Sequence, residues 1–446
     1  MKLPLIVALA VSLVAEDALA FLAQSSSSSS WSDRSREPRR LFSTQQVVDV
    51  SENAPRDIAT MQDWAYACGV QTVEGFQLVG ENGDDGSLDV SVASTLDIPA
   101  NSPILFVPNE MIFSSIQAMQ EFGRLEDAEK VIVENKAESE LRQYYLMLKI
   151  LFEWERGDES PWFPWLNALP RYFSTGASMT PFCYKCIPPF VASLAQQERV
   201  NLNHLSVKRV PFLSNDAKGR AELWKWAFQI VYTRSFEAKD GSGDLRIAPM
   251  MDMFNHGTDA NVEYAYDEYG NCQVQTTQDV AASSPLCLTY DDPTNPSFLF
   301  ARYGFVDESS PASFCKIIPT HVNDEMRDLG YAHNRMLFFK TGDVAQEVWD
   351  ILLYQVLNEN DSKQREFYQA HMNGDYETKQ SIHEQYYQET AAILLEHIDG
   401  FLHKLDELSA KAHERDMNDH PRLPLILRHN YFVRNTFLAV RSRYFG

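Results

Sequence analysis

The residues whose types and spacing could do chemistry lie together in the second half of the 446-residue chain. They are, in chain order, Asn255-His256, Tyr290, Asn295 and Tyr303-Gly304-Phe305. Amide, imidazole and phenol groups bind and orient polar ligands through hydrogen bonds, and the rings supply flat apolar walls. Each piece alone is typical of a turn or of packing. Their order and spacing are therefore what indicates a functional site.

A second candidate for chemistry is the C-x-x-C formed by Cys183 and Cys186. The chain has 6 cysteines, which is too few for a disulfide framework. No second cysteine pair and no histidine pair stands at the spacing of zinc ligands. We therefore expect two ordinary, part-buried thiols and no metal requirement.

The order of the first set resembles the SET-domain protein methyltransferases of the Rubisco large-subunit methyltransferase class. That class reads approximately P-x-x-D-x-x-N-H, a strand ending in Tyr, S-N and then Y-G-F, and this chain has Pro249, Asp252 and Thr294-Asn295 at matching places. Three further stretches agree. They are Thr95-Leu96-Asp97-Ile98-Pro99 running on to Val107-Pro108 (T-R-D-I…V-P in the class), residues 153–170 (S-x-W-x-P-Y-L-x-x-L-P) and Tyr232-Thr233-Arg234-Ser235-Phe236 (S-R-x-F).

The resemblance covers about residues 58–446 and implies an α+β fold. A SET-like β fold of short strands would occupy residues 58–308, with a helical insert at about residues 114–236. An all-helical C-terminal domain, residues 323–446, would bind the substrate. The resemblance also implies S-adenosylmethionine as cofactor and a protein substrate that is methylated on a lysine side chain, without a metal.

Roles for six residues follow from the same resemblance. They are Tyr290 as the catalytic residue at the substrate amine, and Arg234, Asn255, His256, Tyr303 and Phe305 as cofactor-binding residues. Arg234 suits a carboxylate, and Tyr264 and Tyr266 are further candidates for the walls of the substrate channel. A lysine amine has a pKa near 10.4, so a dry aromatic channel helps it to lose its proton.

The sequence departs from the class where the backbone approaches the cofactor. Members have G-x-G before the T-R-D-I strand, but Asp89-Val90-Ser91 stands there, and the spacing of Gly83 and Gly86 does not match. Ala282-Ser283-Ser284-Pro285 likewise replaces a Gly-Glu turn. An aspartate would repel the methionine carboxylate of the cofactor but not its sulfonium. Two functions stay open: an active methyltransferase, which we favour, and a SET-like pseudoenzyme that binds a partner without turnover. The choice between lysine and histidine as target also stays open.

The hydrophobic pattern predicts the elements that must position these residues. Helices are expected over residues 58–68, within 114–154 and within 190–236, and strands over residues 76–79, 89–93, 104–107, 262–266 and 274–276. Beyond about Asn323 the chain should be helical. Its clearest apolar stripe, expected to pack against neighbouring helices, is Leu394, Ile398, Phe401, Leu402, Leu405 and Leu408.

The N-terminus predicts a two-part targeting segment. Lys2, an apolar run at residues 3–15 and Ala18-Leu19-Ala20 form a signal peptide at residues 1–20. Residues 21–57 are rich in Ser and Arg, like a transit peptide, and begin with Phe21. This arrangement resembles the presequence of algae with secondary plastids, so we expect plastid import. A secreted or ER protein is the alternative.

Composition limits the partners. The chain has 39 Lys+Arg against 62 Asp+Glu, and a net charge of -23 repels nucleic acid. Hydrophobic residues make up 44%, which excludes a disordered chain. No apolar stretch reaches the about twenty residues that span a bilayer. We therefore expect a monomer that is soluble after processing and whose partner is a protein.

Overall fold

The structure, a computed structural model, describes residues 46–82, 88–314, 322–332 and 334–446. The predicted signal peptide, most of the transit-like segment, Gly83 and Gly86 lie outside these residues. The helices are α1 Ile58–Ala67, α2 Ser115–Phe122, α3 Glu126–Glu134, α4 Leu141–Glu155, α5 Phe163–Ala168, α6 Pro189–His204, α7 Asn215–Gly219, α8 Ala221–Arg234, α9 Pro296–Tyr303, α10 Asp324–Asp328, α11 Gln346–Val356, α12 Asp361–Asn373, α13 Tyr376–Gln385, α14 Tyr387–Ala412 and α15 Leu423–Phe445. The strands are β1 Gln71–Thr72, β2 Phe76–Asn82, β3 Leu88–Ser94, β4 Pro103–Val107, β5 Phe113–Ser114, β6 Phe236–Glu237, β7 Leu245–Ile247, β8 Asn255–His256, β9 Val262–Tyr266, β10 Cys272–Thr276, β11 Ser284–Pro285, β12 Cys287–Leu288, β13 Ala312–Phe314 and β14 Leu337–Phe339.

The short strands form several small sheets beside the candidate residues. Their orders are β1-β4-β10-β9, β11-β3-β2 and β5-β7-β6, and all of these pairs are antiparallel. β8 and β12 pair in parallel, with Asn255 opposite Cys287 and His256 opposite Leu288. This parallel pair brings the segment that ends at Tyr290 next to the Asn-His pair.

Helices α2 to α8 form an insert between β5 and β6, close to the predicted bounds of about 114–236. α4 packs against α2 and α8, and nine of its fifteen residues are buried. A helix buried on so many faces acts as the centre of a core, because its apolar side chains have neighbours all round. The predicted α+β fold of short strands with a helical insert is confirmed.

The C-terminal region is helical from α10 to α15, apart from β14, which pairs with β13. The predicted apolar stripe lies on α14, packs towards α11 and α15, and is buried at Leu394 and Ile398. α6 and α9 share one hydrophobic cluster with these helices. The predicted boundary at residues 308–323 therefore does not separate two cores. Among the described helices, none is long and apolar enough to cross a membrane.

Residues 46–57 belong to the folded part, which corrects the boundary that the sequence predicted at Ile58. Val48 and Val50 are buried, and the indole N–H of Trp154 donates to the carbonyl of Val48 at 2.8 Å. Glu52 accepts two hydrogen bonds from the buried guanidinium of Arg422, at 2.6 and 3.1 Å. No periodic pattern marks residues 46–57 in the sequence, so only their contacts reveal that they pack.

A chain that begins at Gln46 is expected to melt at the temperature of the full chain, whereas one that begins at Ile58 should melt about 5 °C lower. Losing two buried valines costs about 1.5–3 kcal/mol each, and Arg422 loses its carboxylate partner. Differential scanning calorimetry measures both. Equal melting temperatures for the two truncations would show that residues 46–57 contribute nothing to stability.

Candidate active site

Tyr290 lies two residues beyond the end of β12, and both its hydroxyl and its backbone N–H are hydrogen-bonded. The hydroxyl donates a hydrogen bond to the carbonyl oxygen of Phe254 at 2.7 Å, and the backbone N–H donates to Nδ1 of His256 at 3.1 Å. Burial raises the pKa of Tyr290, so the hydroxyl keeps its proton at neutral pH. Because the hydroxyl donates its proton to the carbonyl of Phe254, the lone pairs of the hydroxyl oxygen can accept a hydrogen bond from a ligand N–H.

Three further aromatic rings surround Tyr290. The ring of Tyr303 lies 4.8 Å from that of Tyr290 between centroids, and the ring of His256 lies 5.6 Å away. Phe305 closes the group, 5.7 Å from His256 and 6.3 Å from Tyr303. The structure therefore brings four of the six predicted site residues into one ring cluster. Asn255 adjoins it through β8.

Helix α9 sets the spacing between Asn295 and Tyr303-Gly304-Phe305. The side chain of Asn295 accepts from the backbone N–H of Phe298 and caps the helix, and Pro296 is the first helical residue. Gly304 ends the helix in the left-handed conformation, with φ 78°. A Cβ on Gly304 would lie 2.5 Å from the carbonyl carbon of Ser174. The Asn295 cap and Gly304 thus fix the positions of Tyr303 and Phe305 at the end of α9.

His256 has a hydrogen-bond partner on one ring nitrogen, Nδ1, and a carboxylate neighbour that makes no hydrogen bond with the other, Nε2. Nδ1 accepts from the backbone of Tyr290, which places the imidazole proton on Nε2, 3.4 Å from Oδ2 of Asp307. The side chain is only 2% exposed. Nδ1 of the imidazole thus helps to position Tyr290, and contact of His256 with the cofactor stays a prediction.

Asp307 was missed in the sequence, although it stands two residues after Phe305. Its carboxylate accepts from the hydroxyl of Thr258 at 2.7 Å and from the backbone N–H and hydroxyl of Ser309 at 2.9 and 2.5 Å. Burial alone raises the pKa of Asp307, but His256 and the hydrogen bonds from Ser309 and Thr258 outweigh it and hold the pKa well below its usual range. The carboxylate is thus a fixed anion behind His256.

Replacing Asp307 by asparagine is expected to lower the free energy of unfolding by about 1–3 kcal/mol, because a buried acceptor of several hydrogen bonds becomes a partial donor. Since the folded-state pKa is lowered, the contribution of Asp307 is present above the unfolded-state pKa of about 4 and is lost as pH falls. The difference in the free energy of unfolding between wild type and variant should therefore become smaller at acidic pH. Urea unfolding at pH 7 and at about pH 2.5, which lies between the lowered folded-state pKa and the unfolded-state pKa, measures the difference. A difference that stays constant would contradict this account.

Arg234, a predicted cofactor-binding residue, lies at the end of α8 and is held by Asp252. Its Nη1 donates to the carbonyl oxygen of Asp252 and lies 3.4 Å from the carboxylate Oδ2. Burial raises the pKa of Asp252, whereas Arg234 and the indole N–H of Trp165, at 3.2 Å, oppose that rise. The buried Nε of Arg234 has no hydrogen-bond partner among the described residues. One guanidinium N–H is therefore left for a ligand.

A second arginine, Arg56, lies next to Arg234 and was missed because it precedes the predicted domain. Its Nε donates to the carbonyl of Ala168 at 2.7 Å and its Nη1 to that of Leu88 at 2.6 Å. The buried Nη2 has no partner within the part of the chain that the structure describes. Burial lowers the pKa of Arg56, the charge of Arg234 lowers it further, and Asp89 opposes. A bound anion would satisfy such a group.

Asn255 also has a protein partner. Its amide Nδ2 donates to Oδ2 of Asp89 at 3.3 Å, so the aspartate that stands in place of the first glycine of G-x-G reaches the Asn-His pair. The turn at residues 282–285, which replaces the Gly-Glu turn of the class, has a strained backbone. Ser283 adopts φ 63°, a conformation that favours glycine. Neither departure disrupts the sheets around it.

The two additional tyrosines differ in their relation to the ring cluster. The hydroxyl of Tyr264 donates to the carbonyl of Glu237 at 3.2 Å, and its pKa, raised to about 12 mainly by burial, is also affected by Tyr303. Tyr266 lies beyond it, with the guanidinium of Arg246 at 4.6 Å over its ring. Tyr264 is thus the better candidate for a channel wall.

The two cysteines of the C-x-x-C are buried thiols. Cys183 and Cys186 are both fully buried, and the hydroxyl of Thr180 donates to the Cys183 sulfur at 3.2 Å. Burial raises the pKa of Cys186 to about 11, which disfavours the thiolate that a metal needs. Within the described ranges, no group of three or more His, Cys, Asp or Glu is arranged to hold a metal ion.

Comparisons with known proteins agree with this geometry. The structure superposes on the SET domain of LSMT bound to lysine and AdoHcy with a TM-score of 0.59 and 16% identity, covering 87% of this chain and 91% of that one. Rubisco LSMT bound to AdoMet gives a TM-score of 0.58, 16% identity and the same coverage. The chain therefore has the SET-domain fold of the Rubisco large-subunit methyltransferase class, as the sequence motifs predicted.

Sequence comparison finds proteins that also contain a SET domain. SET domain-containing protein 4 of Artemia parthenogenetica is 25% identical over 197 residues, which is 40% of this chain and 47% of that protein. Its counterpart from Homo sapiens is 23% identical over 180 residues, 36% of this chain and 41% of that protein. The chain thus spans less than half the length of these curated relatives. No model of a known protein family matches the chain.

Proposed function

We propose that this protein is an S-adenosylmethionine-dependent protein N-methyltransferase that modifies a lysine side chain. One observation supports it most directly: the hydroxyl of Tyr290 donates its proton to a carbonyl oxygen inside a ring cluster, with the charge of Arg234 nearby and Arg56 next to Arg234. Each of these arginines has a buried N–H group without a hydrogen-bond partner among the described residues. That arrangement suits a ligand with an amine at one end of the site and a carboxylate at the other. Solved structures of the same fold are described with AdoMet and with lysine.

The residues present fit the cofactor. The unpaired Nη2 of Arg56 and Nε of Arg234 offer charged hydrogen bonds to the carboxylate of its methionine moiety. Tyr303 and Phe305 offer ring faces to its adenine. When bound, S-adenosylmethionine supplies a sulfonium methyl group that an amine lone pair displaces in line.

Tyr290 orients the amine in this proposal. Its hydroxyl oxygen accepts one amine hydrogen and thereby aims the nitrogen lone pair, while Phe254 fixes the hydroxyl. A lysine must first lose a proton, which costs about 4 kcal/mol at pH 7.5. The buried rings lower that cost by disfavouring the ammonium form. The raised pKa of Tyr290 makes it an orienting group, not a base.

A second function, a SET-like pseudoenzyme that binds a protein without turnover, is favoured by one observation. Asp89 engages Asn255, and it stands where the class has glycine. In that alternative, the hydrogen-bonded side chains of Asp89 and Asn255 would block the cofactor site. The ring cluster and the unpaired arginine N–H groups would then have no ligand, which is why we prefer the enzyme.

Radiolabelled transfer tests the proposal. The purified full chain is incubated with methyl-tritiated S-adenosylmethionine and proteins extracted from plastids, and the labelled proteins are hydrolysed in acid. Label recovered as methyl-lysine supports the proposal, and label recovered as methyl-histidine contradicts the choice of lysine. A Tyr290→Phe chain at the same concentration controls for contaminating enzymes. No label above that control would favour the pseudoenzyme.

We further propose that residues 1–45 direct the protein to a plastid. The signal-like and Ser/Arg-rich stretches support this, and the burial of Val48 and Val50 supports processing at a position before Gln46. A fluorescent fusion of residues 1–45 should accumulate in plastids. Retention of the fusion in the ER, or its secretion, would contradict plastid delivery.

A further inference from the structure

The carboxylate of Asp89 is the feature of the site that the proposed function does not use. It lies on β3, is exposed, and keeps most of its acceptor capacity. Oδ1 accepts from the backbone N–H of Val90 at 2.9 Å and Oδ2 from the amide of Asn255 at 3.3 Å. A carboxylate has about four acceptor positions, so it can still bind a donor from a ligand.

Asp89 and Arg56 flank one stretch of backbone with opposite charges. Nη1 of Arg56 binds the carbonyl of Leu88, the residue immediately before Asp89, at 2.6 Å. The charge of Asp89 raises the pKa of Arg56, in keeping with that proximity. The free acceptors of the aspartate and the unpaired N–H of the arginine are therefore available in the same part of the site.

An α-amino acid carries its carboxylate and its ammonium on neighbouring atoms. A site that binds the carboxylate of the amino acid at Arg56 places its ammonium group within a few ångström. A negatively charged protein group is favourable beside that ammonium, and a positively charged one is not. Glu81, the register partner of Asp89 on β2, adds a second carboxylate to the same face. The carboxylates of Asp89 and Glu81 therefore favour a positively charged group of the ligand on this face.

We propose that Asp89, supported by Asn255, binds the α-ammonium group of S-adenosylmethionine while Arg56 binds its carboxylate. This rests on the proposed function and deepens it, because it explains how the site manages without G-x-G. A charged side chain takes the place of a close approach by glycine backbone. Asp89 is then a binding residue and not an obstruction.

Calorimetric titration with two ligands tests this. One is S-adenosylhomocysteine, and the other is the thioether that carries a 4-thiobutyrate chain, which lacks only the α-amino group. The wild-type full chain should bind the amino compound about tenfold more tightly, equivalent to about 1.4 kcal/mol. Asp89→Asn, which keeps the shape, should reduce that ratio to about twofold.

Glu263→Gln is the matched control, because it removes an exposed strand carboxylate that binds only Gln275 among the described residues. The control should keep the tenfold ratio. An unchanged ratio in Asp89→Asn, or equally improved binding of both ligands, would overturn the role of Asp89 and leave the proposed function standing. Failure of the wild type to bind either ligand would contradict the proposed function itself.

Discussion

Tyr290→Phe is expected to reduce the rate of methyl transfer about a hundredfold and to leave cofactor affinity within about twofold. The variant keeps the ring against Tyr303 and removes only the oxygen that is proposed to accept from the substrate amine. Loss of one positioned hydrogen bond in a dry site costs about 3 kcal/mol of transition-state stabilisation. Single-turnover rates on a verified substrate, with calorimetry of the cofactor, separate the two effects.

Tyr144→Phe is the matched control for that experiment. Its hydroxyl also donates to a backbone carbonyl, that of Ser206 at 3.0 Å, but it lies on α4, outside the ring cluster. Its rate should stay within about threefold of wild type, whereas its stability loss should be comparable to that of Tyr290→Phe, since both leave one carbonyl without a partner. Wild-type turnover in Tyr290→Phe would eliminate the proposed role of Tyr290.

Arg56→Met is expected to weaken binding of S-adenosylmethionine about thirtyfold, because a hydrogen bond between charged groups contributes about 1.5–3 kcal/mol. Arg56→Lys should recover only part of this, since a lysine cannot place several N–H groups in one plane. Calorimetric titration gives the affinities, and thermal melting identifies any variant that fails to fold.

Methylthioadenosine, which lacks the amino-acid part, distinguishes a direct contact from a general disturbance at Arg56. Its affinity should be the same for Arg56→Met and wild type. If both ligands lose affinity equally, the arginine supports the site only through its bonds to Leu88 and Ala168. That result would remove Arg56 from the cofactor contacts.

Much of the fold was predictable because it depends on local patterns. Strand β9 has the predicted bounds of residues 262–266, and α1 ends within one residue of prediction. The Tyr-Gly-Phe piece was predicted to be part of the site, and α9 with its Asn295 cap and left-handed Gly304 explains why. Start and stop signals of helices lie within a few residues and can be seen in a sequence.

The remaining site residues could not be predicted because their roles depend on distant contacts. Arg56 reaches Leu88 and Ala168, which are 32 and 112 residues away. Asp307 is placed against His256 by α9 and the parallel pairing of β8 with β12. A single aspartate or arginine carries no periodic signal. The same reason explains why residues 46–57 were assigned to the targeting segment.

The affinity of the purified full chain for S-adenosylmethionine tests the central claim most directly. Isothermal titration should show saturable binding to one site per chain, and Tyr290→Phe should bind with nearly the same affinity. A folded chain that gives no saturable heat at millimolar S-adenosylmethionine would contradict the account and favour the pseudoenzyme.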